Sequence, residues 1–492
     1  MKISTTYWRL YHPIGEEYAS DFYYTKIANE VFSRMRPDPV LAGMYTDYAM
    51  RETAMRVSLY FEDVISDFGI WRSFVTKHRE LYGKSLPFFE VDEADYYTNE
   101  IHREDIQLLL WMGLQEACDD RIFNPVSKKL EALAERLFLL LDGEFEKAPV
   151  NEKLVEHFYE VSGTDTFLRA RILCIALHSS CYLFDKKRIF DIRREVIRQY
   201  QETWKGEEES QIAHSMADNV LPVDMPVGPL SLTSFAWIGQ MMKSRGDTER
   251  GDRFAGMECR KFTSYRLERF DDRVAMLTDA EGETFMVDRN SIWLASEEPP
   301  KGAITVLCVL ARYNSELWVM TGGYLNTEDD SSFVQYRKEL LEEKEKIAKT
   351  YRGLMDSNGG HPLVYFADYA EMEGWFGKHP ELTLQEDSLE EFGKDTRFAM
   401  FIDEEAAMMI VPGAARWIKD ERNPYYDAEW AANAALRLFL EPDKFSREMR
   451  RYLVENRMIP DANISEYDGE KGRRLTQDNL DFLARFFFKE QY

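Results

Sequence analysis

The segment VAMLTDAEGETFMVDR, residues 274–289, carries the clearest short-range fold signal of the sequence. Two strand-like runs, Val274–Thr278 and Thr284–Arg289, flank the turn-forming residues 279–282. β-Branched and aromatic residues favour extended strands, and a short cluster that ends in glycine lets the chain reverse between them. The segment therefore predicts an antiparallel β-hairpin.

Strand-like segments continue on both sides of this hairpin. Cys259–Phe270 precedes it, and Ile304–Tyr313 and Leu317–Thr321 follow around a second turn. Together they predict a small antiparallel β-barrel over residues 257–326, of SH3-like or OB-like kind. Because Ile304–Leu310 is apolar on both alternating faces, we expect it to be the central strand.

Residues 1–205 predict a helical domain. Steps of three and four residues place one apolar stripe on a helix surface: Val57, Phe61, Val64, Phe68, Trp71 and Val75. This spacing predicts one long amphipathic helix, bent at Gly69. Leu130–Leu140 repeats the pattern, and Asp142-Gly143 supplies a stop signal. Phe167–Phe184 is apolar almost all round, which predicts a helix buried in the middle of a bundle.

The regular pattern is lost after residue 205. Three consecutive glutamates and a run of prolines and glycine predict a linker over residues 206–256, with at most a short helix near Phe235–Lys243. Residues 327–492 predict an α+β domain with a hairpin at Asp403–Glu405. It ends in three helices: Asp427–Leu440, Ser446–Arg457 and Thr476–Lys489. The expected fold class is therefore α+β multidomain, with an N-terminal helical bundle, a central small antiparallel β-barrel and a C-terminal mixed α/β region.

Charge and composition limit the classes of partner. The chain has 62 Lys and Arg against 88 Asp and Glu, a net charge of -26, so long-range repulsion makes nucleic acid an unlikely partner. The most basic stretch, Lys186–Arg198, is typical of a solvated helix face, and a phosphate-binding site is the less favoured alternative. The sequence predicts a cytoplasmic protein for three reasons. Its N-terminus has no long apolar run, no segment is long and apolar enough to span a membrane, and its five cysteines are scattered along the chain.

Several segments resemble a known family. They are Leu109–Trp111, Phe123–Pro125, FEKAPVNE at Phe145–Glu152 and PGAARWIKDERNPYYD at Pro412–Asp427. In these segments the chain resembles a family of uncharacterised bacterial proteins that carries only a domain-of-unknown-function label. The resemblance extends along most of the chain, and it implies no activity, cofactor or site residue.

One helical segment has the residue types of a metal site. Cys174, His178 and Cys181 are spaced i, i+4 and i+7, which would place two thiols and an imidazole on one helix face. The pattern lacks a fourth ligand, and buried cysteines in a packed core helix explain it at least as well. We favour the core interpretation and assign no metal.

A second group is acidic. Asp368 and Glu371, with Glu373 and His361 nearby, could hold Mg²⁺ or act as an acid and base pair, but a solvated face is favoured in a chain this acidic. The pairs Gly322-Gly323 and Gly359-Gly360 lack the spacing of phosphate-binding loops and predict turns. No nucleophile motif is present. We therefore assign no catalytic residue and no cofactor.

The favoured hypothesis is a cytoplasmic protein- or peptide-binding scaffold without catalytic activity. Its barrel would present four aromatic side chains to a partner: Trp293, Tyr313, Trp318 and Tyr324. The same rings could instead pack the barrel against its neighbours. There are two alternatives. One is a metal-assisted, hydrolase-like enzyme. The other is a nucleic-acid-associated protein, which would bind through the barrel and Lys186–Arg198.

Overall fold

A computed structural model describes most of the chain. The described residues are 2–13, 16–37, 45–118, 120–160, 166–203, 213–214, 217–218, 221, 225–292, 304–327, 330–379, 395–465 and 468–490, without the side chains of 200, 202–203, 261, 322–327 and 433. The chain divides into two compact units. The first contains Met1–Cys118, Pro125–Tyr336 and Lys489–Gln491, and the second contains Asp119–Asn124 and Arg337–Phe488. In the described ranges, no helix combines the length and the apolar character needed to cross a membrane.

The first unit begins with helices, as the sequence predicts. They are α1 (Thr5–Trp8), α2 (Asp21–Met35), α3 (Asp47–Ser66), α4 (Ile70–Tyr82), α5 (Arg103–Gln115), α6 (Lys128–Asp142), α7 (Glu152–Tyr159), α8 (Phe167–Ser180), α9 (Lys186–Thr203), α10 (Ser234–Ser244) and α11 (Thr248–Ala255). Several begin after a capping side chain. Thr46, for example, accepts a hydrogen bond from a backbone N–H in the first turn of α3, and Ser127 does the same for α6.

The predicted long helix over residues 57–75 is broken, so that prediction is wrong. The chain leaves α3 at Asp67 and enters α4 after Gly69, both with positive φ. The buried carboxylate of Asp63 accepts hydrogen bonds from Gly69 N at 2.6 Å and Trp71 N at 2.7 Å, and from the hydroxyl of Tyr182 at 2.7 Å. These bonds satisfy backbone N–H groups at the N-terminus of α4 that have no partner within the helix. The chain therefore forms two helices, α3 and α4, where one was predicted.

Helix α8 is not buried all round, which corrects the prediction for Phe167–Phe184. Leu173 and Leu177 are buried, but Leu168 and Ile172 are more than half exposed. Its apolar residues therefore cover one face and leave another open.

The described part of the predicted linker contains two helices, α10 and α11, where at most one was expected. Trp237 on α10 is buried, and α10 packs against α4 and α8. The two helices approach very closely at Gly239, where an added Cβ would lie 2.8 Å from the carbonyl oxygen of Gly251. Glycine at this position therefore serves close helix packing.

Five strands in the described part of the first unit form one antiparallel sheet. They are β1 (Glu258–Phe270), β2 (Val274–Asp279), β3 (Thr284–Asp288), β4 (Ile304–Arg312) and β5 (Val319–Thr327), in the order β3-β2-β1-β4-β5. The predicted hairpin is confirmed, with Leu277 opposite Phe285. An isolated parallel bridge joins Val287 of β3 to Trp318, next to β5, so the sheet curls into a half-barrel.

The central strand is β1, so the prediction that Ile304–Leu310 is central is wrong. β1 pairs with β2 on one side and β4 on the other, with irregular register after Arg260 and after Leu267. β4 lies one place further out but is buried on both faces, with Val306 and Val309 each about 1% exposed. Burial on both faces therefore does not require a central position in the strand order.

The second unit mixes a small sheet with helices, in agreement with the expected α+β class. A long helix, α12 (Ser331–Ser357), contains the boundary between the units. The following elements are β6 (Leu363–Phe366), α13 (Tyr369–Phe376), β7 (Phe398–Asp403), β8 (Ala407–Pro412), α14 (Ala428–Ala434), α15 (Arg437–Leu440), α16 (Arg447–Glu455), α17 (Gly469–Asp478) and α18 (Leu480–Phe488). The sheet order is β6-β7-β8, and the hairpin predicted at Asp403–Glu405 is confirmed.

The core of the second unit lies between this sheet and α12 and α13. Phe398, Met400 and Ile402 of β7 pack with Leu354 and Phe376 from the two helices. Of the predicted C-terminal helices, the middle one is confirmed as α16, while the first and last are each divided in two.

Candidate functional site

The predicted aromatic surface of the barrel does not form as expected. Trp318 is only 6% exposed and packs edge-on against Phe285, with ring centroids 5.4 Å apart, in the barrel core. Tyr313 is also buried and contacts Phe254. For these two side chains the prediction of an exposed contact is wrong. Trp293 and the side chain of Tyr324 lie outside the described residues.

A different row of side chains lies on the outside of the barrel. In the strand register, Arg269 of β1 is opposite Met276 of β2, which is opposite Met286 of β3. Side chains directly opposite each other share a face, so these three form one row across three strands, here called the outer row. The side chain of Arg269 is 70% exposed and Met286 is 52% exposed.

The outer row is positioned by the core on the other side of the sheet. Leu277 and Phe285 alternate with the two methionines and are buried in the barrel core with Tyr265. Because side chains alternate between faces, burial of this core holds Met276 and Met286 toward the outside. Sequence reasoning missed the outer row because methionine in a strand is typical of a core residue.

The charges around the outer row are largely balanced by ion pairs. Arg269 lies 3.4 Å from Asp271, and Arg266 lies 3.1 Å from Asp330. Next to the row, the guanidinium carbon of Arg289 lies 3.9 Å from the ring centroid of Phe270. Residues 257–326 contain eight Lys and Arg against eleven Asp and Glu. The barrel therefore carries apolar and paired charged groups, and it is not a basic surface.

Cys174 and His178 lie on α8, as predicted, but Cys181 lies just after the helix end, on extended backbone. Both cysteines are fully buried, and burial raises the pKa of each thiol far above its usual value. His178 Nδ1 lies 3.1 Å from the hydroxyl of Ser234, and burial lowers the pKa of His178 to about 4. Buried neutral thiols beside a neutral imidazole pack as core groups.

The acidic residues around α13 act at its N-terminus. The side chain of Asp368 accepts a hydrogen bond from Glu371 N at 2.9 Å, and Glu371 Oε2 accepts one from Ala367 N at 2.6 Å. This pattern resembles a capping box, except that Glu371 accepts from Ala367, the residue before the N-cap Asp368. Tyr425 also donates to Glu371 Oε2, while Glu373 and His361 are exposed. Within the described ranges, no group of three or more His, Cys, Asp or Glu is arranged to hold a metal ion.

The glycine pairs and the basic segment have structural explanations. Gly322-Gly323 lies inside β5, so the turn predicted there is wrong, whereas Gly359-Gly360 forms a turn after α12 with positive φ at both residues. In the basic segment, now α9, Lys187 pairs with Asp191 and Arg193 pairs with Asp218. These exposed pairs are typical of a solvated helix face.

The exposed apolar residues of α8 border a surface cavity of about 740 Å³. Its lining combines both signs of charge with apolar groups: Glu16, Lys153, Glu156, His157, Glu160, Leu168, Arg169 and Ile172. Burial lowers the pKa of His157. Three carboxylates beside two cations give the cavity no preference for a ligand of one charge.

Comparison with known proteins gives one match. A family model described as "Protein of unknown function (DUF3843)" matches residues 2–287 and 303–489. No curated protein and no solved structure matches the chain. The match covers both compact units, as the resemblance in the sequence implied.

Proposed function

The chain belongs to the DUF3843 family of proteins of unknown function, and from that premise we propose that it is a non-enzymatic, cytoplasmic binding protein whose barrel holds an extended segment of another protein. The observation that carries this proposal is the outer row, in which Met286 of the edge strand β3 is half exposed beside a well-packed barrel core. Exposed methionines adapt their shape to apolar partner side chains, and a neighbouring arginine adds hydrogen bonding.

The connectivity of the barrel supports the OB-like alternative over the SH3-like one. β1 pairs with both β2 and β4, and the end of β3 returns beside Trp318 in parallel orientation. This connectivity favours a five-stranded, partly open Greek-key barrel, whose second and third strands commonly form the binding face. The outer row crosses those two strands. Because one fold serves many functions, the side chains of the outer row provide the chemical basis of the proposal.

A polypeptide is favoured over a nucleic acid as the partner. Phosphate binding requires lysine or arginine side chains that can exchange their partners for phosphate oxygens. Around the outer row, Arg266 and Arg269 already pair with carboxylates, at 3.1 Å to Asp330 and 3.4 Å to Asp271. Carboxylates flanking these arginines repel a polyanion but tolerate a mixed-charge peptide.

The proposal can be tested with a displayed library of random linear peptides selected on the purified protein. We expect enriched peptides with alternating apolar residues, and we expect Met286→Asp to weaken their binding at least tenfold in fluorescence anisotropy. Glu281→Ala, at the exposed tip of the β2–β3 turn, is the matched control and should bind as the wild type does.

The same assay includes a nucleic-acid arm. A labelled single-stranded oligothymidine should not bind at 0.15 M salt. If the oligonucleotide bound and Met286→Asp abolished that binding, the outer row would serve nucleic acid, and the protein-binding proposal would be wrong. Peptides whose binding is indifferent to Met286→Asp would also overturn it.

A further inference from the structure

The surface cavity beside α8 is lined by charged side chains that form no ion pairs. Its volume of about 740 Å³ lies within the range typical of small-molecule sites. In the described part of the chain, none of its charged residues pairs with an opposite charge: Glu16, Lys153, Glu156, Glu160 and Arg169. Elsewhere in the first unit exposed charges are commonly paired, as Lys147 is with Glu144 and Arg198 with Glu195. The charges of this cavity are therefore available to a ligand.

Helix α7 and its C-terminal end supply one polar wall of the cavity. Lys153, Glu156 and His157 are spaced i, i+3 and i+4 and so project from one face, and Glu160 follows the last helical residue. Burial lowers the pKa of His157, so its ring is neutral at neutral pH. Its Nε2 is buried and has no hydrogen-bond partner among the described residues. Buried polar atoms normally have a partner, so Nε2 can hydrogen-bond a ligand.

Helix α8 supplies an apolar wall with one cation. Leu168 and Ile172 lie one turn apart and are 59% and 51% exposed, whereas Leu173 beside them is buried. Between them, Arg169 Nη2 donates a hydrogen bond to the carbonyl oxygen of Glu160 at 2.5 Å. This bond holds the guanidinium next to the end of α7. An apolar group of a ligand would cover the two side chains that α8 leaves exposed.

We propose that this cavity binds a zwitterion with an aliphatic side chain, the chemistry shared by a free apolar amino acid and a short apolar peptide. The name zwitterion site is used below for six of its lining residues: Lys153, Glu156, Glu160, Leu168, Arg169 and Ile172. The site lies on helices of the first unit and is independent of the outer row and of the binding proposed for the barrel.

The unpaired charges match the two ends of such a ligand. Lys153 and Arg169 would bind its carboxylate, and a guanidinium can do so with two parallel hydrogen bonds. Glu156 and Glu160 would accept hydrogen bonds from its ammonium group. A ligand with only one charge would leave the lining groups of the other sign without a partner and would lie close to groups of its own sign. A zwitterion engages both signs and brings no net charge into the cavity.

Two other ligand classes fit this lining less well. A divalent cation needs several converging oxygen ligands, and no group of three or more His, Cys, Asp or Glu converges in this way in the described ranges. A phosphate ester carries about two negative charges at neutral pH, which three carboxylates in the lining would repel. Neither ligand would cover the exposed side chains of Leu168 and Ile172.

Ligand-observed NMR titrations of the full chain test the proposal with L-leucine and three fragments of it. Because most of the charged groups are exposed, water and salt weaken each contact, and we expect leucine to dissociate with a constant on the order of 1 mM. Glycine lacks the side chain, 4-methylpentanoate lacks the ammonium group and 3-methylbutylamine lacks the carboxylate. Each should bind at least fivefold more weakly than leucine. A fragment that binds as tightly as leucine overturns the proposal.

Charge variants assign the two ends of the ligand. Glu156→Gln combined with Glu160→Gln should weaken leucine and 3-methylbutylamine at least threefold but should not weaken 4-methylpentanoate. Lys153→Gln should weaken leucine and 4-methylpentanoate by a similar factor but not 3-methylbutylamine. Glu152→Gln, at an exposed residue of α7 outside the described lining, is the matched control. Circular dichroism shows that each fold is retained. Equal losses for all ligands, or no loss in either variant, overturn the assignment.

The tripeptide leucyl-alanyl-leucine distinguishes the two sources of this chemistry. Tighter binding of the tripeptide than of leucine assigns the site to peptides, and weaker binding assigns it to the free amino acid. In both cases Ile172→Asp should weaken binding at least fivefold. Met286→Asp should have no effect, which separates this site from the outer row. If neither leucine nor the tripeptide binds at 10 mM, the zwitterion site is wrong, while the barrel proposal stands or falls by its own assay.

Discussion

A buried carboxyl group, Asp105, should make the first unit less stable as the pH rises. Asp105 lies on α5 with no exposed surface, and its two oxygens accept hydrogen bonds from the hydroxyls of Tyr60 and Tyr96, each at 2.7 Å. Burial disfavours the charged form and raises the pKa of Asp105 from 3.8 to about 7, although the two hydroxyls oppose that shift. The folded protein therefore holds this proton at a pH where the unfolded chain has lost it.

The sign and size follow from proton linkage. Because the pKa of the folded state is the higher one, the stabilisation is fully present below about pH 4, declines as the pH rises, and is lost above about pH 7. One pKa unit corresponds to about 1.4 kcal/mol, so the loss between pH 5.5 and pH 8 is about 2 kcal/mol. Asp105→Asn removes the titrating group, so its stability relative to the wild type should rise by that amount over the same range.

Urea unfolding followed by tryptophan fluorescence measures this difference. Trp71 donates a hydrogen bond to the hydroxyl of Tyr96 and so reports on this region. The series should stay above the isoelectric point near 4.9, where an acidic protein precipitates. Asp142→Asn, at an exposed aspartate on α6, is the matched control and should show no such trend. A stability difference between Asp105→Asn and the wild type that is the same at pH 5.5 and pH 8 would refute the reasoning.

Three further predictions concern buried groups. Asp63→Ala leaves N–H groups of α4 and the Tyr182 hydroxyl unsatisfied, so it should cost about 3 kcal/mol and lower Tm by about 4 °C in differential scanning fluorimetry. A shift under about 1 °C would contradict the capping role. His178 should remain neutral, so its ring NMR signals should not titrate between pH 8 and pH 5.5, and a midpoint near 6.5 would contradict its burial. In chemical unfolding, Trp318→Ala should destabilise the protein by about 3–5 kcal/mol, whereas Met286→Ala should change its stability by less than about 0.5 kcal/mol. Equal effects of the two variants would contradict the assignment of Trp318 to the core and of Met286 to the surface.

Local patterns predicted the type of most elements. The hairpin at residues 274–289 and helix α6 with its end at Gly143 follow from residue spacing and turn residues that act over a few positions. The break between α3 and α4 could not be predicted in this way. It depends on the side chain of Asp63, which reaches forward to the next helix and is fixed there by Tyr182, more than a hundred residues later.

In the candidate site, too, the sequence showed which residue types are present but not which of them are buried. The aromatic residues of the barrel were visible in the sequence, but composition does not distinguish a ring in a core from a ring on a surface. Trp318 is buried because the sheet curls into a half-barrel and β3 returns beside it, and this contact joins segments about thirty residues apart. Met286 is exposed because its neighbours Phe285 and Val287 occupy the core side of the same strand.

The sequence alone therefore determined the acidic character, the α+β class and the order of helical and strand segments, because these depend on composition and on periodicity over short spans. The resemblance of its quoted segments indicated the family. Only the tertiary structure decided which strand is central, which apolar residues remain exposed on α8, α12 and the barrel, and which carboxyl groups are buried. These properties depend on contacts between residues far apart in the chain. Burial of a side chain is set by the elements that pack over it, and a local pattern does not encode them.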